Sequence, residues 1–361
     1  MKYSLIVPVY NRPDEVAELL ESLAALGRND FEVIVVEDGS EQTCQDVCSS
    51  YAGRLDLHYH AKENSGPGQS RNYGAERAKG DYLIILDSDV VVPPGYLAAI
   101  DAELRRRPCD AFGGPDAAHP SFSPVQKAIS YAMTSFFTTG GIRGGAAKKA
   151  LDRFFPRSFN MGVRRDCYLR LGGFSRMRFG EDIDFSYRIV EAGMSCRLFP
   201  EAWVWHKRRT DLRKFFRQVY NSGIARINLE KRHPGTMKLV HVLPAAFTVG
   251  VLLLAAVALA GLVLTIAGMA AAQNPGCNMS PVVACVGLLV MAAALSPLAL
   301  YSLLILADST LKNRSLRVGL LSVPAAFVQL GGYGLGFIQA WWRRCVRGKD
   351  EYHAFEKTFY K

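Results

Sequence analysis

The sequence predicts a doubly wound α/β domain followed by an α-helical membrane region, and three observations carry the prediction. Apolar runs rich in Val, Ile and Leu recur at 3–9, 31–36 and 82–86, the composition of strands buried on both faces of a parallel sheet. Segments of helical period separate these runs, the alternation that lays helices over a parallel sheet. The stretch from Val240 to Leu306 carries no Lys, Arg, Asp or Glu, which suits a bilayer and little else.

The first strand, Tyr3 to Val9, runs into Asn11-Arg12-Pro13-Asp14, the start of a helix whose apolar face is Val16, Leu19, Leu20 and Leu23. A second strand, Phe31 to Val36, ends in Glu37-Asp38-Gly39-Ser40, and Leu55 to Tyr59 forms a short third. A glycine-proline loop, Asn64 to Gly68, feeds the helix that carries Arg71, Asn72 and Ala75. Next, Tyr82-Leu83-Ile84-Ile85-Leu86 stops abruptly at Asp87-Ser88-Asp89. Residues 110–114 read as a further strand, after which the pattern loosens through Ala150. Ser158 to Val163 restores extended chain, followed by a short helix closing at Gly172-Gly173-Phe174. Gly180-Glu181-Asp182-Ile183-Asp184 opens a helix running to Gly193, and Cys196–Phe199 with Ala202–Trp205 complete the domain as two strands ending at His206.

The chain of 361 residues has a formal charge of +10, yet its mean hydropathy is slightly positive. Both features come from the C-terminal third, apolar inside and basic on its flanks, so the charge marks a membrane before a nucleic acid. No arginine-rich tail or aromatic-interleaved basic patch points to a nucleic-acid partner. The apolar run after Met1-Lys2 stops at Pro8, so no signal peptide is expected and the domain stays cytoplasmic. Eight cysteines without a CxxC pair read as reduced thiols.

From Leu212 the spacing of Leu212, Phe215, Phe216, Val219, Tyr220 and Ile227 is helical. Between Glu201 and Lys238 ten Lys/Arg stand against three Asp/Glu, so 211–238 is expected to be a basic amphipathic helix on an anionic membrane surface. Packing of this helix on the α/β domain is the other option. Two or three membrane segments follow, 239–272, 282–307 and 318–342, and then a basic tail, 343–361. Lys312, Arg314 and Arg317 place the connection after the second segment on the cytoplasmic side. The third segment is interrupted by Pro324, Gly331-Gly332, Gly334 and Gly336, which favours a re-entrant hairpin that keeps the basic tail inside.

The chemistry concentrates at strand ends. In open α/β sheets ligands bind outside the carboxyl ends of the strands, which here assembles Val9-Tyr10-Asn11, Asp38 and Asp87/Asp89 along one edge. Two carboxylates so close repel each other unless a cation or ligand hydroxyls sit between them; the alternative is an acidic turn capping a helix begun by Pro93-Pro94. The acids Glu181, Asp182 and Asp184 suit a helix dipole and also meet the needs of a general base. A nicotinamide cofactor is excluded, because the turn after the first strand lacks a GxGxxG run. The basic glycine-rich segment 140–149 either closes over a phosphorylated ligand or is a surface connection.

Six blocks in order, SLIVPVYNRPDEV, VIVVEDGS, ENSGPGQSRNYGAERAKGDYLIILDSDV, FNMGVRRDCYLRLGGF, GEDIDF and an aromatic-flanked His, resemble a family 2 glycosyltransferase over residues 3–230. The resemblance implies a GT-A fold, a nucleotide-diphospho-sugar transferase domain of Rossmann-like build, spanning 1–210. It implies donor-nucleotide contacts from Pro8, Val9, Tyr10, Asn11, Asp38, Arg71 and Asp87, with Asp87 toward the ribose. Asp89 and His206 are the implied ligands of Mg²⁺ or Mn²⁺, hard cations suited to oxygen donors. Asp182 is the implied catalytic base, with Asn160, Gly173 and Glu181 on the acceptor side; Asp184 is free to pair with Arg188 at i+4. A single base opposite the leaving group implies inversion at the anomeric carbon.

The resemblance stops at one motif. Polymerising members carry QxxRW before their channel helices, and here the nearest run is Gln218-Val219-Tyr220-Asn221-Ser222. The expected activity is therefore distributive: transfer from a nucleotide-diphosphate sugar to a hydroxyl of a lipid-linked or membrane-associated glycan, in envelope or exopolysaccharide assembly at a bacterial inner membrane. A polyprenyl-phosphate sugar transferase and a catalytically lapsed nucleotide-sugar-binding scaffold are the alternatives.

Overall fold

The computed structural model describes residues 3–117, 119, 121–140, 154–207, 209–272, 280–352 and 354. The basic segment 140–149 therefore lies, apart from Gly140, outside the described residues. The chain divides into two compact units: 1–122, 144–208 and 228–236 form the first, and 123–143, 209–227 and 237–361 the second.

The first unit contains β1 (Tyr3–Val9), α1 (Pro13–Ala24), β2 (Phe31–Asp38), α2 (Gln45–Tyr51), β3 (Leu57–Lys62), α3 (Pro67–Arg77), β4 (Tyr82–Leu86), β5 (Val90–Val91), α4 (Tyr96–Arg106), β6 (Ala111–Gly113) and β7 (Asp116–Ala117). After the helices α5 (Pro124–Thr134) and α6 (Phe136–Thr139), which belong to the second unit, it resumes. The resumed part is β8 (Asn160–Arg164), α7 (Arg165–Arg170), α8 (Glu181–Glu191), β9 (Cys196–Leu198) and β10 (Val204–His206). Seven strands form one sheet in the order β3-β2-β1-β4-β8-β6-β9, and β5-β10-β7 form a small second sheet.

Strands β3, β2, β1 and β4 are mutually parallel, as the alternation of strand and helix predicts. β8 is antiparallel to both β4 and β6, so the sheet is mixed rather than uniformly parallel. Alternation along each strand sorts the core onto two faces. Tyr3, Leu5, Val7, Val33, Val35, Ile84 and Leu86 pack with Leu19, Leu20 and Leu23 of α1 and Leu97 and Ile100 of α4. Ile6, Ile34, Val36, Leu83 and Ile85 pack with Ala75 of α3, Tyr168 of α7 and Phe185 and Ile189 of α8. Each such aliphatic side chain, fully withdrawn from water, stabilises the unit by about 1.5–3 kcal/mol.

The second unit holds α5 and α6, most of α9 (Leu212–Arg232), and then α10 (Leu239–Ala271), α11 (Ser280–Asn313) and α12 (Leu316–Trp341), which continues as a π-helical turn, Trp342–Val346. Three helices, Leu239–Ala271, Pro281–Asn313 and Leu316–Val346, are long and apolar enough to cross a membrane. The hairpin reading of the third segment is overturned, because Leu316–Trp341 is one unbroken helix through Pro324 and its glycines. Gly332, Gly334 and Gly336 are packing positions. A Cβ on Gly332 would lie 2.7 Å from Val219 Cγ2, and one on Gly336 would collide with the Tyr220 carbonyl of α9.

The face of α9 expected to lie on lipid is covered by protein instead. Phe215 and Val219 pack with Ala128, Ile129 and Ala132 of α5 and with Val318 and Ala325 of α12. Farther along, Ile224 and Ile227 pack with Ala245, Phe337 and Ala340. The pair α5–α6 was not legible as helix from apolar period alone, although Ser123 and Gln126 form a capping box at its start.

Candidate active site

The carboxyl ends of β1, β2 and β4 bring the N-terminal candidates to one edge of the sheet. Pro8 and Val9 are buried in β1, and Asn11 follows in a left-handed conformation, φ 52°. From there Asn11 donates its backbone N–H to Ser40 Oγ at 2.7 Å and accepts from the N–H groups of Glu41 and Gln42 at 2.8 and 3.0 Å. This ties the turn holding Tyr10 to the loop after β2. Asp38 ends β2 with its carboxylate bound by Lys62 and by the N–H groups of Ser65 and Gly66, each at 2.9 Å. Asp38 thus fixes the glycine-proline loop in front of α3.

The acidic turn after β4 does not cap a helix, since α4 begins at Tyr96 behind Gly95. Antiparallel pairing sets His206 of β10 beside Val90 of β5, and the Lys207 N–H donates to the Asp89 carbonyl at 3.0 Å. His206 Nε2 is consequently 3.3 Å from Asp89 Oδ1, with the ring stacked on Phe159 at 4.9 Å between centroids. One ligand atom from each of Asp87, Asp89 and His206 lies within 4.8 Å of the others. Two carboxylates and an imidazole at that spacing fit one divalent ion.

Two neighbours of this cluster were missed by sequence reasoning. Arg12 donates to Asp89 Oδ2 at 3.0 Å, and Asp116 Oδ2 stands 3.7 Å from His206 Nδ1. Arg12 lay in plain view next to Asn11. Asp116 carried no signal, because only the pairing of β7 with β10 brings it there.

Arg71, expected at the nucleotide, stands between two carboxylates. Its side chain is buried over the Phe174 ring, and its two terminal nitrogens donate to Asp87 Oδ1 at 2.8 Å and Glu181 Oε1 at 2.9 Å. It is a brace between the acids after β4 and those at the start of α8. Burial alone would favour the neutral guanidine, but the charges of Asp87 and Glu181 outweigh it and push the Arg71 pKa up. Glu181 itself is pushed up to about 7, by burial first and also by the charge of Asp182, against the lowering pull of Arg71.

That shift has a stability consequence with a definite sign. Between its ordinary value of 4.5 and about 7 the folded state holds a proton on Glu181 that the unfolded chain releases. Stability from this group is fully present below 4.5 and is lost as pH rises through about 7. Thermal unfolding of the wild type followed from pH 5 to pH 8 is expected to show this decline, and Glu181→Gln to flatten it.

Asp182 sits in the first turn of α8, where the helix dipole favours an anion. Its Oδ1 accepts from the Ile183 N–H at 2.9 Å, and its Oδ2 meets Arg157 Nε at 2.8 Å. Two other acceptor-side candidates hold structural places. Asn160 is 1% exposed and its amide is spent inside the core, accepting from Tyr96 at 2.6 Å and donating to the Ala202 carbonyl at 2.7 Å. Gly173 has φ 66°, and a Cβ there would collide with the Asn72 side chain, so it serves the backbone.

Asp184 pairs with Arg188 at 3.0 Å, as its spacing predicts, and has a further partner outside the motif. His233 presents Nε2 to Asp184 at 3.0 Å and Nδ1 to Glu191 at 2.8 Å. Burial opposes ionisation of Asp184, but His233 and Arg188 together hold its carboxyl below the usual range. His233→Ala strips one partner from a buried carboxylate and is expected to cost about 1–3 kcal/mol of stability, read as a lowered unfolding midpoint.

A mixed sheet of this order, with acids gathered at the ends of its parallel strands, is the GT-A architecture. Residues 4–170 match the family model Glycosyl transferase family 2, and the chain carries a family 2 glycosyltransferase domain joined to three apolar helices. Over 237 residues it is 29% identical to a pre-mycofactocin glycosyltransferase of Mycobacterium tuberculosis, covering 64% of this chain and 48% of the relative. Over 200 residues it is 25% identical to an undecaprenyl-phosphate 4-deoxy-4-formamido-L-arabinose transferase of Pseudomonas fluorescens, covering 54% and 49%. The chain thus spans about half the length of these relatives. A mannosyltransferase of Pyrobaculum calidifontis, solved with GDP-Man and Mn²⁺, shares the fold at TM-score 0.53 and 16% identity, over 95% of this chain and 88% of that one.

Proposed function

We propose that the protein is a membrane-attached, inverting glycosyltransferase that moves a sugar from a nucleotide-diphosphate donor to a hydroxyl of a lipid-linked or membrane-associated glycan. The observation that carries the reading is the joined set of acids: Asp87 and Asp89 gathered with His206, and Asp87 linked through buried Arg71 to Glu181 beside Asp182. Pro8, Val9, Tyr10, Asn11 and Asp38 shape the nucleotide side, and Asp87 faces the ribose. Asp89 and His206 would hold a divalent ion. When bound, that ion neutralises charge on the departing nucleoside diphosphate. Asp182 takes the proton of the acceptor hydroxyl, and Arg157 must yield its Oδ2 for that transfer. Arg71 keeps the two halves of the site at a fixed spacing, as a positioning residue rather than a nucleotide ligand.

A lipid-linked acceptor is supported by the three apolar helices and by the undecaprenyl-phosphate transferase among the relatives. That relative also favours a second reading, in which the acceptor is a polyprenyl phosphate and little base catalysis is needed. The charge of Lys312, Arg314 and Arg317 supports placing residues 308–317, and the domain with them, on the cytoplasmic side of a bacterial inner membrane. The test is release of UDP, GDP, CDP or dTDP by purified full-length protein from a panel of donor sugars with Mg²⁺ or Mn²⁺. Release from one nucleotide class supports the reading. No release from any donor, with or without lipid acceptors, returns the protein to the class of nucleotide-sugar-binding scaffolds.

A further inference from the structure

The amino ends of the first strands, remote along the sheet from the carboxyl ends that carry Asp38 and Asp87, hold a second group of ligand-type side chains. Parallel pairing sets Ser4 beside Glu32 and Ile34 beside His58, so Ser4, Glu32, Asp56 and His58 share one face of the sheet. Glu32 is 1% exposed. One of its oxygens, Oε1, is fully used, accepting from Ser4 Oγ at 2.6 Å and from the Lys79 N–H at 2.7 Å. The other, Oε2, is buried and has no hydrogen-bond partner, and the same is true of His58 Nε2. His58 Nε2 stands 3.5 Å from Glu32 Oε2 and 3.2 Å from Asp56 Oδ1, and the three residues offer ligand atoms within 4.8 Å of one another.

A buried carboxylate oxygen without a donor is costly, and a cation is the direct remedy. An imidazolium N–H bonded to Glu32 would sit at about 2.7–2.9 Å, closer than His58 stands. Two ligands of one tetrahedral ion are different: with bonds of about 2.1 Å, their donor atoms lie about 3.4 Å apart. The observed 3.5 and 3.2 Å bracket that edge length. One imidazole with two carboxylates suits zinc-type cations, whereas a site for Mg²⁺ would be all oxygen.

We propose that Glu32, Asp56 and His58 form a second divalent-cation site of zinc type, separate from the ion held by Asp89 and His206. It supplies Glu32 with its missing partner and clamps the edge strand β3 to β2, so its role is to stabilise the sheet rather than to assist sugar transfer. The site is fed from solvent, since His58 and Asp56 are only partly covered, at 39% and 51% side-chain exposure.

The test uses full-length protein in detergent with Co²⁺ as a visible-light probe and Zn²⁺ as competitor. Asp89→Asn, which weakens the other cluster, is expected to retain one Co²⁺ with the strong d–d absorption of a tetrahedral site. His58→Gln or Glu32→Gln in that background is expected to weaken this ion by about tenfold or more. Zn²⁺ should raise the unfolding midpoint of Asp89→Asn and leave Asp89→Asn/His58→Gln unchanged. His58 is half exposed, and Gln at 32 still accepts from Ser4 and Lys79, so both variants retain the packing of the parent. An Asp89→Asn protein that binds no Co²⁺, or one whose ion survives both His58→Gln and Glu32→Gln, overturns the proposal.

Discussion

Asp182→Asn is expected to reduce turnover by about 10²–10⁴-fold while the KM for the donor stays near wild type. The substitution is nearly isosteric, and the Asn side-chain oxygen can still accept from the Ile183 N–H that Asp182 Oδ1 accepts now at 2.9 Å. It removes the negative charge that Arg157 pairs with and that an acceptor proton needs. The donor-side cluster, Asp87, Asp89 and His206, lies outside these contacts, so a loss confined to kcat assigns Asp182 to the chemistry. Steady-state kinetics with a donor chosen from the nucleotide panel would read the split. Near-normal turnover would sink the hydroxyl-acceptor reading and move the protein to the polyprenyl-phosphate class, where the acceptor oxygen is already an anion at neutral pH.

Much of the first unit was legible because its strands announce themselves by composition. Tyr3–Val9, Phe31–Asp38 and Tyr82–Leu86 are buried along their whole length, and short runs so rich in Val, Ile and Leu suit little but the interior of a sheet. The direction of a strand is less visible: nothing local in Asn160–Arg164 says that it runs against β4 and β6. Pairing also hid Asp116, whose place near His206 depends on a two-residue strand. Arg71 was visible as a charged helix residue, but its burial between two carboxylates is a tertiary fact. The same limit applies to the glycines of α12. Read singly, Gly332, Gly334 and Gly336 break helices; in a packed bundle they admit neighbouring side chains and backbone, and the helix continues. Residues 211–238 show the converse limit, because an amphipathic face predicts burial without naming what covers it.

Removing the divalent ion is expected to abolish transfer, with activity restored by Mg²⁺ or Mn²⁺, and Asp89→Asn to cost about 10³-fold even with metal in excess. Charge sets this effect. Asp87 and Asp89 face the same small volume, and their repulsion is offset by Arg71 on one and Arg12 on the other, at 2.8 and 3.0 Å. Those pairs hold the carboxylates spaced for an ion, but the arginines are anchored in the protein and cannot follow a leaving diphosphate. Asp89 offers a ligand oxygen toward His206, while its other oxygen is held by Arg12. His206→Gln should therefore act more mildly than Asp89→Asn, by about 10–100-fold, and excess metal should recover part of the loss. Activity that survives exhaustive chelation, with Asp89→Asn unimpaired, would remove the ion from the reaction and leave Arg12 as the charge beside the diphosphate.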